Sequence, residues 1–86
     1  MSVPEPEASL VGELYAWVEV TERGERLISI SVCGSALTLV AVRRASLQRF
    51  TAAVQARADE CGYEHRLVHI GAHGRAVLAR CRPRGR

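Results

Sequence analysis

The sequence predicts an α+β domain in which an antiparallel sheet of about five strands carries one amphipathic helix on one face, in the chain order βββαββ. Two observations indicate this fold. Apolar and polar residues alternate with a period of two in several segments, which short glycine-containing stretches separate. One segment, residues 46–61, instead repeats its apolar residues at helical spacing.

The first two predicted strands form a hairpin. Alternation over residues 10–20 places Leu14, Ala16, Val18 and Val20 on one side and Tyr15, Trp17 and Glu19 on the other. The polar segment 21–25 contains a glycine and predicts a turn. Alternation resumes over residues 26–32, with Ile28, Ile30 and Val32 directed inward, so we expect a second strand that pairs with the first.

A nearly continuous apolar run at residues 37–42 predicts the third strand. It follows a break in the pattern at residues 33–35. Uninterrupted apolar runs are typical of strands that are buried on both faces. We therefore expect residues 37–42 to form a central strand of the sheet.

The predicted helix begins at Ser46, a residue type that is favoured as an N-cap. Its apolar residues recur at spacings of three, four and seven: Leu47, Phe50, Val54 and Cys61, with Ala53 and Ala58 beside them. Gly62 follows as a residue suited to the left-handed end of a helix. The pattern indicates about four helical turns that pack on one face of the sheet.

The last two strands are predicted at residues 63–70 and 75–81, with a turn at 71–74 that contains two glycines. Residues 10–81 therefore form a single α+β domain. Two prolines and two glutamates without periodicity predict a flexible N-terminal extension over residues 1–9. The arginines and glycine of residues 82–86 predict a mobile basic tail.

Length and composition exclude several classes of protein. A chain of 86 residues forms one domain at most, and it buries only about 60% of the surface that it exposes when unfolded. Little stability is left for a deep active-site cavity, so we expect no enzymatic activity. The content of 48% apolar and 24% charged residues is that of a folded protein. No apolar stretch approaches the roughly 20 residues that cross a bilayer, and no leader pattern is present, so we expect no membrane partner and no secretion.

The cysteines indicate the redox setting. Cys33, Cys61 and Cys81 cannot all pair within one chain, and an odd number favours reduced thiols in a cytoplasmic protein. A disulfide between Cys61 and Cys81 remains an alternative, because pairing depends on a Cα separation that the sequence does not give.

Charge is distributed unevenly along the chain. Residues 1–42 hold six acidic residues and two arginines, whereas residues 43–86 hold three acidic residues and ten arginines. All twelve basic residues are arginine. This composition fits codon bias in a GC-rich genome, and it equally fits selection for the planar guanidinium group, which binds phosphates and carboxylates bidentately.

The arginines of the second half are candidate partner-binding residues: Arg43, Arg44, Arg66, Arg75, Arg80, Arg82, Arg84 and Arg86. They would form an electrostatic surface for nucleic-acid phosphates or for an acidic protein. The alternative is an ordinary solvated surface. No motif for sequence-specific reading of nucleic acid is present.

Tyr15 and Trp17 are the other candidate partner-binding residues. They share the strand face opposite Leu14, Ala16 and Val18. One helix covers only one face of a sheet, and exposed Tyr and Trp dominate many protein interfaces. Alternatively, Trp17 packs under the helix. In either case the uncovered face is expected to carry apolar residues and to favour a homodimer or another protein partner.

No catalytic residue, cofactor or metal site is predicted. Cys61, His65, His69 and His73 recur every four residues, which would align metal ligands on a continuous helix. The glycines at 62 and 71 and the β-rich residues between them argue against that helix. On a strand His65 and His69 would lie about 13 Å apart, too far for one ion without a partner strand, although Cys81 could approach His69 across the hairpin. Cys33 has no base or acid near it in the sequence that would make it a nucleophile.

These observations lead to a functional hypothesis. We expect a small non-enzymatic binding or regulatory domain that acts by docking onto another protein and occluding it. An inhibitor from a phage or mobile element that blocks a host nucleic-acid-handling complex, in an anti-CRISPR-like or anti-restriction role, would have these features. The alternative is a non-specific nucleic-acid binder that uses the arginine-rich second half.

Overall fold

The main sheet is built around strand β1, which has neighbours on both edges. The computed structural model describes residues 13–84. Its elements are β1 (Leu14–Thr21), β2 (Gly24–Leu27), β3 (Ser29–Val32), β4 (Ser35–Thr38), β5 (Val40–Ala41), α1 (Arg44–Gln48), α2 (Thr51–Cys61), β6 (Glu64–Gly71) and β7 (Gly74–Cys81). The sheet runs β2-β1-β6-β7, and β5 also pairs with β1. All pairings are antiparallel, and the predicted fold class is confirmed.

One edge of β1 is divided between two short strands. β2 pairs with residues 18–21, while β5 pairs only with Tyr15 and Ala16. Between these two pairings the chain leaves the sheet, and β3 and β4 form a separate two-stranded sheet. We call residues 29–38 the arm.

The arm corrects the prediction for the second and third strands. The predicted strand 26–32 breaks at Ile28, and the predicted central strand 37–42 breaks at Leu39. Leu39 donates a backbone hydrogen bond of 3.0 Å to Ile28, and its own carbonyl accepts one of 3.0 Å from Trp17. Leu39 is buried, but the residues on either side of it are exposed. The prediction that residues 37–42 are buried on both faces is therefore wrong.

The predicted single helix is divided in two. The N-cap of α1 is Arg43, three residues before the predicted N-cap at Ser46, and α2 follows after a break at Arg49 and Phe50. The Thr51 hydroxyl donates a hydrogen bond of 2.6 Å to the carbonyl of Gln48 across this break. Leu47, Val54 and Ala58 are buried as predicted, whereas Ala53 and Cys61 are exposed. Gly62 ends α2 with a φ of 81°, which confirms the predicted helix end.

The core lies between the helices and the face of the sheet that carries Trp17. Its buried members are Trp17, Ile28, Leu39, Leu47, Val54, Ala58, Leu67 and Cys81. The alternative in which Trp17 packs under the helix is thus the one that the structure shows. The opposite face holds a smaller buried cluster of Ala16, Val18 and Val68. Within residues 13–84 neither helix has the length and apolar character needed to span a bilayer.

Candidate binding surface and the Glu19 cluster

The arm has two faces of different character. Cross-strand partners share a face, so the Ile30–Leu37 and Val32–Ser35 pairs place three apolar side chains together. The other face carries the small residues Ser29, Ser31, Ala36 and Thr38. On that face the hydroxyls of Ser29 and Thr38 lie 3.0 Å apart in a hydrogen bond.

The arm ends in a tight two-residue turn. Cys33 has a φ of 52° and Gly34 a φ of 83°. Positive φ at both central residues is what a two-residue hairpin of type I′ requires, because its twist matches that of the flanking strands. The sequence therefore specifies a turn at the tip even though the arm has no further sheet to pair with among the described residues.

The arm and its base are uncharged. Residues 27–42 form a run of 16 residues without Asp, Glu, Lys, Arg or His, in a chain that is 24% charged. Five of the exposed large apolar side chains lie in this run: Leu27, Val32, Leu37, Val40 and Val42. The run is thus the largest uncharged surface segment of the described chain.

A groove of about 150 Å³ lies at the base of the arm. Its apolar lining includes Leu37 and Val40 from the strands, Leu47 from α1, and Phe50 from the break between the helices. The guanidinium of Arg49, which also lines the groove, lies 5.0 Å from the centre of the Phe50 ring. The groove extends the apolar face of the arm toward helix α1.

Most of the candidate arginines make ion pairs within the chain. The carboxylate oxygens of Glu64 lie close to three guanidinium groups. The Nε–oxygen distances are 2.7 Å for Arg66, 3.4 Å for Arg80 and 3.5 Å for Arg82. Glu25 accepts two hydrogen bonds from Arg75, one of them 2.8 Å long, and lies 3.7 Å from Arg66. The positive charge of the β6–β7 hairpin is therefore partly neutralised.

The beginning of the predicted basic tail contacts helix α2. The Asp59 carboxylate accepts hydrogen bonds from the backbone and the guanidinium of Arg84, at 2.8 and 2.5 Å. These bonds from Arg84 lower the pKa of Asp59 to about 2. Gln55 also donates a hydrogen bond of 2.7 Å to the carbonyl of Arg82. Arg86 and the predicted extension over residues 1–9 lie outside the described residues.

Three arginines in and around helix α1 have no carboxylate partner among residues 13–84: Arg43, Arg44 and Arg49. We call them the arginine cluster. They flank or belong to α1, next to the lining of the groove. The sequence analysis identified Arg43 and Arg44 as candidates. Arg49 also lines the groove, a position that depends on the break between the two helices and that the sequence pattern does not show.

Tyr15 and Trp17 do not form an exposed aromatic surface. Trp17 is completely buried, which corrects its prediction as an exposed partner-binding residue. Tyr15 is half-buried, and its ring centre lies 4.9 Å from that of His69. The His69 Nε2 in turn lies 2.9 Å from a carboxylate oxygen of Glu13.

The helix-free face of the sheet carries ion pairs as well as apolar residues. Glu25 pairs across the strands with Val20, and Arg66 pairs with Val18, so both charged residues lie on this face. They meet in the ion-pair group that includes Arg75. This differs from the apolar surface expected there, and the arm rather than the sheet face presents the uncharged surface.

A second group of polar side chains lies between β1, α2 and β6. Glu19 is buried, its Oε1 accepts a hydrogen bond of 2.7 Å from Arg26, and the same oxygen lies 3.9 Å from Arg57. Its Oε2 accepts a hydrogen bond of 3.4 Å from the thiol of Cys61. Burial would raise the pKa of Glu19, but the hydrogen bonds from Arg26 and Cys61 outweigh it and the pKa is lowered.

His65 completes this group, which we call the Glu19 cluster (Glu19, Cys61 and His65). His65 is completely buried, and its Nδ1 lies 3.0 Å from the carbonyl oxygen of Tyr63. Burial lowers the pKa of His65. One ligand atom each from Glu19, Cys61 and His65 lie within 4.8 Å of one another. The sequence spacing pointed to Cys61 and His65 but also to His69 and His73, and it did not suggest Glu19.

Comparison with known proteins finds no match to this chain among family models, curated proteins or solved structures. The function is therefore inferred from the arm, the arginine cluster and the Glu19 cluster.

Proposed function

We propose that this chain is a non-enzymatic protein-binding domain that docks onto another protein through the arm and the groove at its base. The observation that supports this most directly is the arm itself. It extends from a charged domain as an uncharged hairpin whose apolar face carries the exposed side chains of Val32 and Leu37 beside half-buried Ile30, which packs against the core.

The free arm carries two liabilities that a partner would relieve. An isolated two-stranded hairpin is only marginally stable in water. Its outer edges also present backbone groups that have no strand partner in the described part of the chain, and soluble proteins usually protect such edges with charged residues or proline. The arm contains neither. A partner that pairs with an edge of the arm would satisfy these backbone groups and cover its apolar face.

The arginine cluster indicates the chemistry of the partner. Arg49 lines the groove, and Arg43 and Arg44 lie at the start of helix α1. None of the three has a carboxylate partner among the described residues, so they are available to acidic groups outside the domain. We therefore infer that the partner surface is apolar at its centre and acidic at its rim. Such rim charges mainly increase the association rate and make it depend on salt.

Docking of this kind can inhibit or regulate a larger assembly by occlusion. The role as a phage or mobile-element inhibitor of a nucleic-acid-handling complex stays a prediction of the sequence. The cysteines Cys33, Cys61 and Cys81 are all free, and this supports the proposed cytoplasmic setting.

The two faces of the arm provide a matched experiment. Leu37→Asp and Val32→Asp place a charge on the apolar face, while Ser31→Asp and Ala36→Asp place the same charge on the other face. Each tagged protein is incubated with an extract of the source cells, bound proteins are identified by mass spectrometry, and the affinity of the purified partner is measured by calorimetry. Circular dichroism checks that each variant is folded.

We expect one partner that is retained by Ser31→Asp and Ala36→Asp but bound at least tenfold more weakly by Leu37→Asp and Val32→Asp. Equal binding by all four variants would contradict docking through the apolar face. Light scattering tests whether a second copy of the chain covers the apolar face. A wild-type dimer that Leu37→Asp converts to a monomer would show that the occupant is this second copy and not another protein.

Non-specific nucleic-acid binding is the second candidate, because the arginine cluster is also suited to phosphates. Anisotropy of a labelled duplex at two salt concentrations tests it. Three results together would favour this candidate over protein docking. The affinity for the duplex would fall steeply with salt, it would decrease in Arg43→Ala and Arg44→Ala, and it would be unchanged in Leu37→Asp. We expect instead that Leu37→Asp, and not the salt concentration, has the larger effect on binding of the partner.

A further inference from the structure

We propose that Glu19, Cys61 and His65 form a binding site for a divalent transition-metal ion of the zinc class. The three side chains supply a carboxylate oxygen, a thiolate sulfur and an imidazole nitrogen, which are the donor types that zinc uses in proteins. Their ligand atoms lie within 4.8 Å of one another. Tetrahedral coordination needs donors about 3.5 Å apart, so the group must contract by about 1 Å.

The ring nitrogens of His65 are arranged as they are in many metal-binding histidines. A carbonyl oxygen can only accept, so the 3.0 Å contact with Tyr63 places the proton on Nδ1. Nε2 then carries a free lone pair, and this atom is buried without a hydrogen-bond partner within residues 13–84. A buried polar atom without a partner is unfavourable. A bound metal ion would satisfy it, with the Tyr63 carbonyl fixing the orientation of the ring.

The two oxygens of Glu19 have different partners. Oε1 is held by Arg26 at 2.7 Å, whereas Oε2 contacts only the thiol of Cys61, at 3.4 Å, among the described hydrogen bonds. The Cys61 proton lies between the sulfur and this oxygen. On metal binding the thiol releases its proton to solvent, the sulfur forms a bond to the ion, and Oε2 becomes a ligand in place of a hydrogen-bond acceptor.

Cys61 is the ligand that can move. It lies at the exposed end of helix α2, whereas Glu19 and His65 are buried on adjacent strands and lie opposite each other in the register of β1 and β6. The Cys61 sulfur already lies 3.4 Å from Oε2 of Glu19, so the contraction concerns the distances to His65, and the exposed Cys61 side chain can follow it. Its exposure also leaves a fourth coordination position that water can reach.

Two positive charges face the site, those of Arg26 and Arg57. The carboxylate and the thiolate together balance a divalent ion, and Arg26 is largely exposed and therefore hydrated. Arg57 is less exposed, and its Nε is buried without a partner in the described part of the chain. We therefore expect removal of the Arg57 charge to strengthen metal binding.

Cobalt(II) is the probe for the experiment, because thiolate ligation gives a charge-transfer absorption and tetrahedral geometry gives strong visible bands. The full chain is freed of metal with a chelator and titrated with cobalt, and bound cobalt is then displaced with zinc. Cys61→Ser removes the ligand at an exposed position, so the fold is expected to persist. Cys33→Ser removes the exposed thiol at the tip of the arm and is the matched control.

We expect wild type and Cys33→Ser to bind one cobalt ion per chain with a thiolate charge-transfer band. Cys61→Ser is expected to lose the band and to bind at least tenfold more weakly, and Arg57→Gln to bind more tightly than wild type. Zinc should raise the melting temperature of wild type but not that of Cys61→Ser. Absence of the band, or its loss in Cys33→Ser instead of Cys61→Ser, would overturn the proposal.

Discussion

The indole nitrogen of Trp17 donates a hydrogen bond of 3.0 Å to the carbonyl oxygen of Leu47, and this bond joins strand β1 to helix α1. Trp17 is also completely buried and belongs to the main core cluster. The side chain that the sequence proposed as an exposed binding residue therefore connects the sheet to the first helix.

Replacement of Trp17 by phenylalanine tests this role. The substitution removes one hydrogen bond to the Leu47 carbonyl, which keeps its bond of 3.0 Å from the Phe50 amide, and it removes part of a buried ring. We therefore expect a loss of about 2–3 kcal/mol in the free energy of unfolding. Urea unfolding measures it. Tyr63→Phe is the control, since the Tyr63 hydroxyl makes only an exposed hydrogen bond of 3.3 Å to Glu22. A loss for Trp17→Phe no larger than for Tyr63→Phe would contradict the assignment.

Leu37 and Leu39 offer a matched pair for locating the base of the arm. They belong to the same apolar run, but Leu39 is 1% exposed and Leu37 is 40% exposed. Leu39→Ala is expected to cost about 2–5 kcal/mol in the free energy of unfolding, and Leu37→Ala about 0.5 kcal/mol or less. Similar losses would show instead that residues 37–42 form the continuous buried strand that the sequence predicted.

The sequence pattern could not distinguish these two arrangements. Alternation at Ile28, Ile30 and Val32 is the same in a strand that stays in the sheet and in one that continues into an arm. The difference lies in the backbone partners of Leu39, which bonds to Trp17 and Ile28, far from it in the sequence. By contrast, the β6–β7 hairpin and the helix end at Gly62 follow from local patterns, and both were predicted.

The Glu19 cluster shows a similar limit. Cys61 and His65 lie close together in the sequence, and their spacing drew attention to them. Glu19 lies 42 residues before Cys61 and joins them only because β1 pairs with β6. The one sequence signal was a charged residue on the same strand face as Trp17, the face that the helix covers.

Hydrogen exchange of the backbone amides tests whether the arm is locally less stable than the main sheet in the free protein. Apart from half-buried Ile30 its residues are exposed, and within residues 13–84 its two strands pair only with each other, so we expect amides of residues 29–38 to exchange rapidly compared with those of β1 and β6. Addition of the partner should slow exchange in the arm. Protection of the arm equal to that of β6 in a monomeric sample would argue against a free binding element.

The ion pair between Glu25 and Arg75 gives a pH-dependent prediction. The hydrogen bonds from Arg75 hold the pKa of Glu25 below its ordinary value of 4.5, against the opposing effect of burial. The unfolded state therefore binds the proton more readily, and the stability that the pair contributes is present above about pH 4.5 and is lost as the pH falls through the folded-state pKa. For a surface pair we expect about 0.5 kcal/mol at neutral pH.

Urea unfolding of Arg75→Ala measures this contribution. We expect the variant to be less stable than wild type at pH 7 and the difference to shrink at about pH 3, because protonated Glu25 gains nothing from the guanidinium. Arg23→Ala is the control for the change in net charge, since Arg23 has no ion-pair partner within residues 13–84. A pH-independent difference for Arg75→Ala would mean that its aliphatic stem, and not the ion pair, stabilises this face of the sheet.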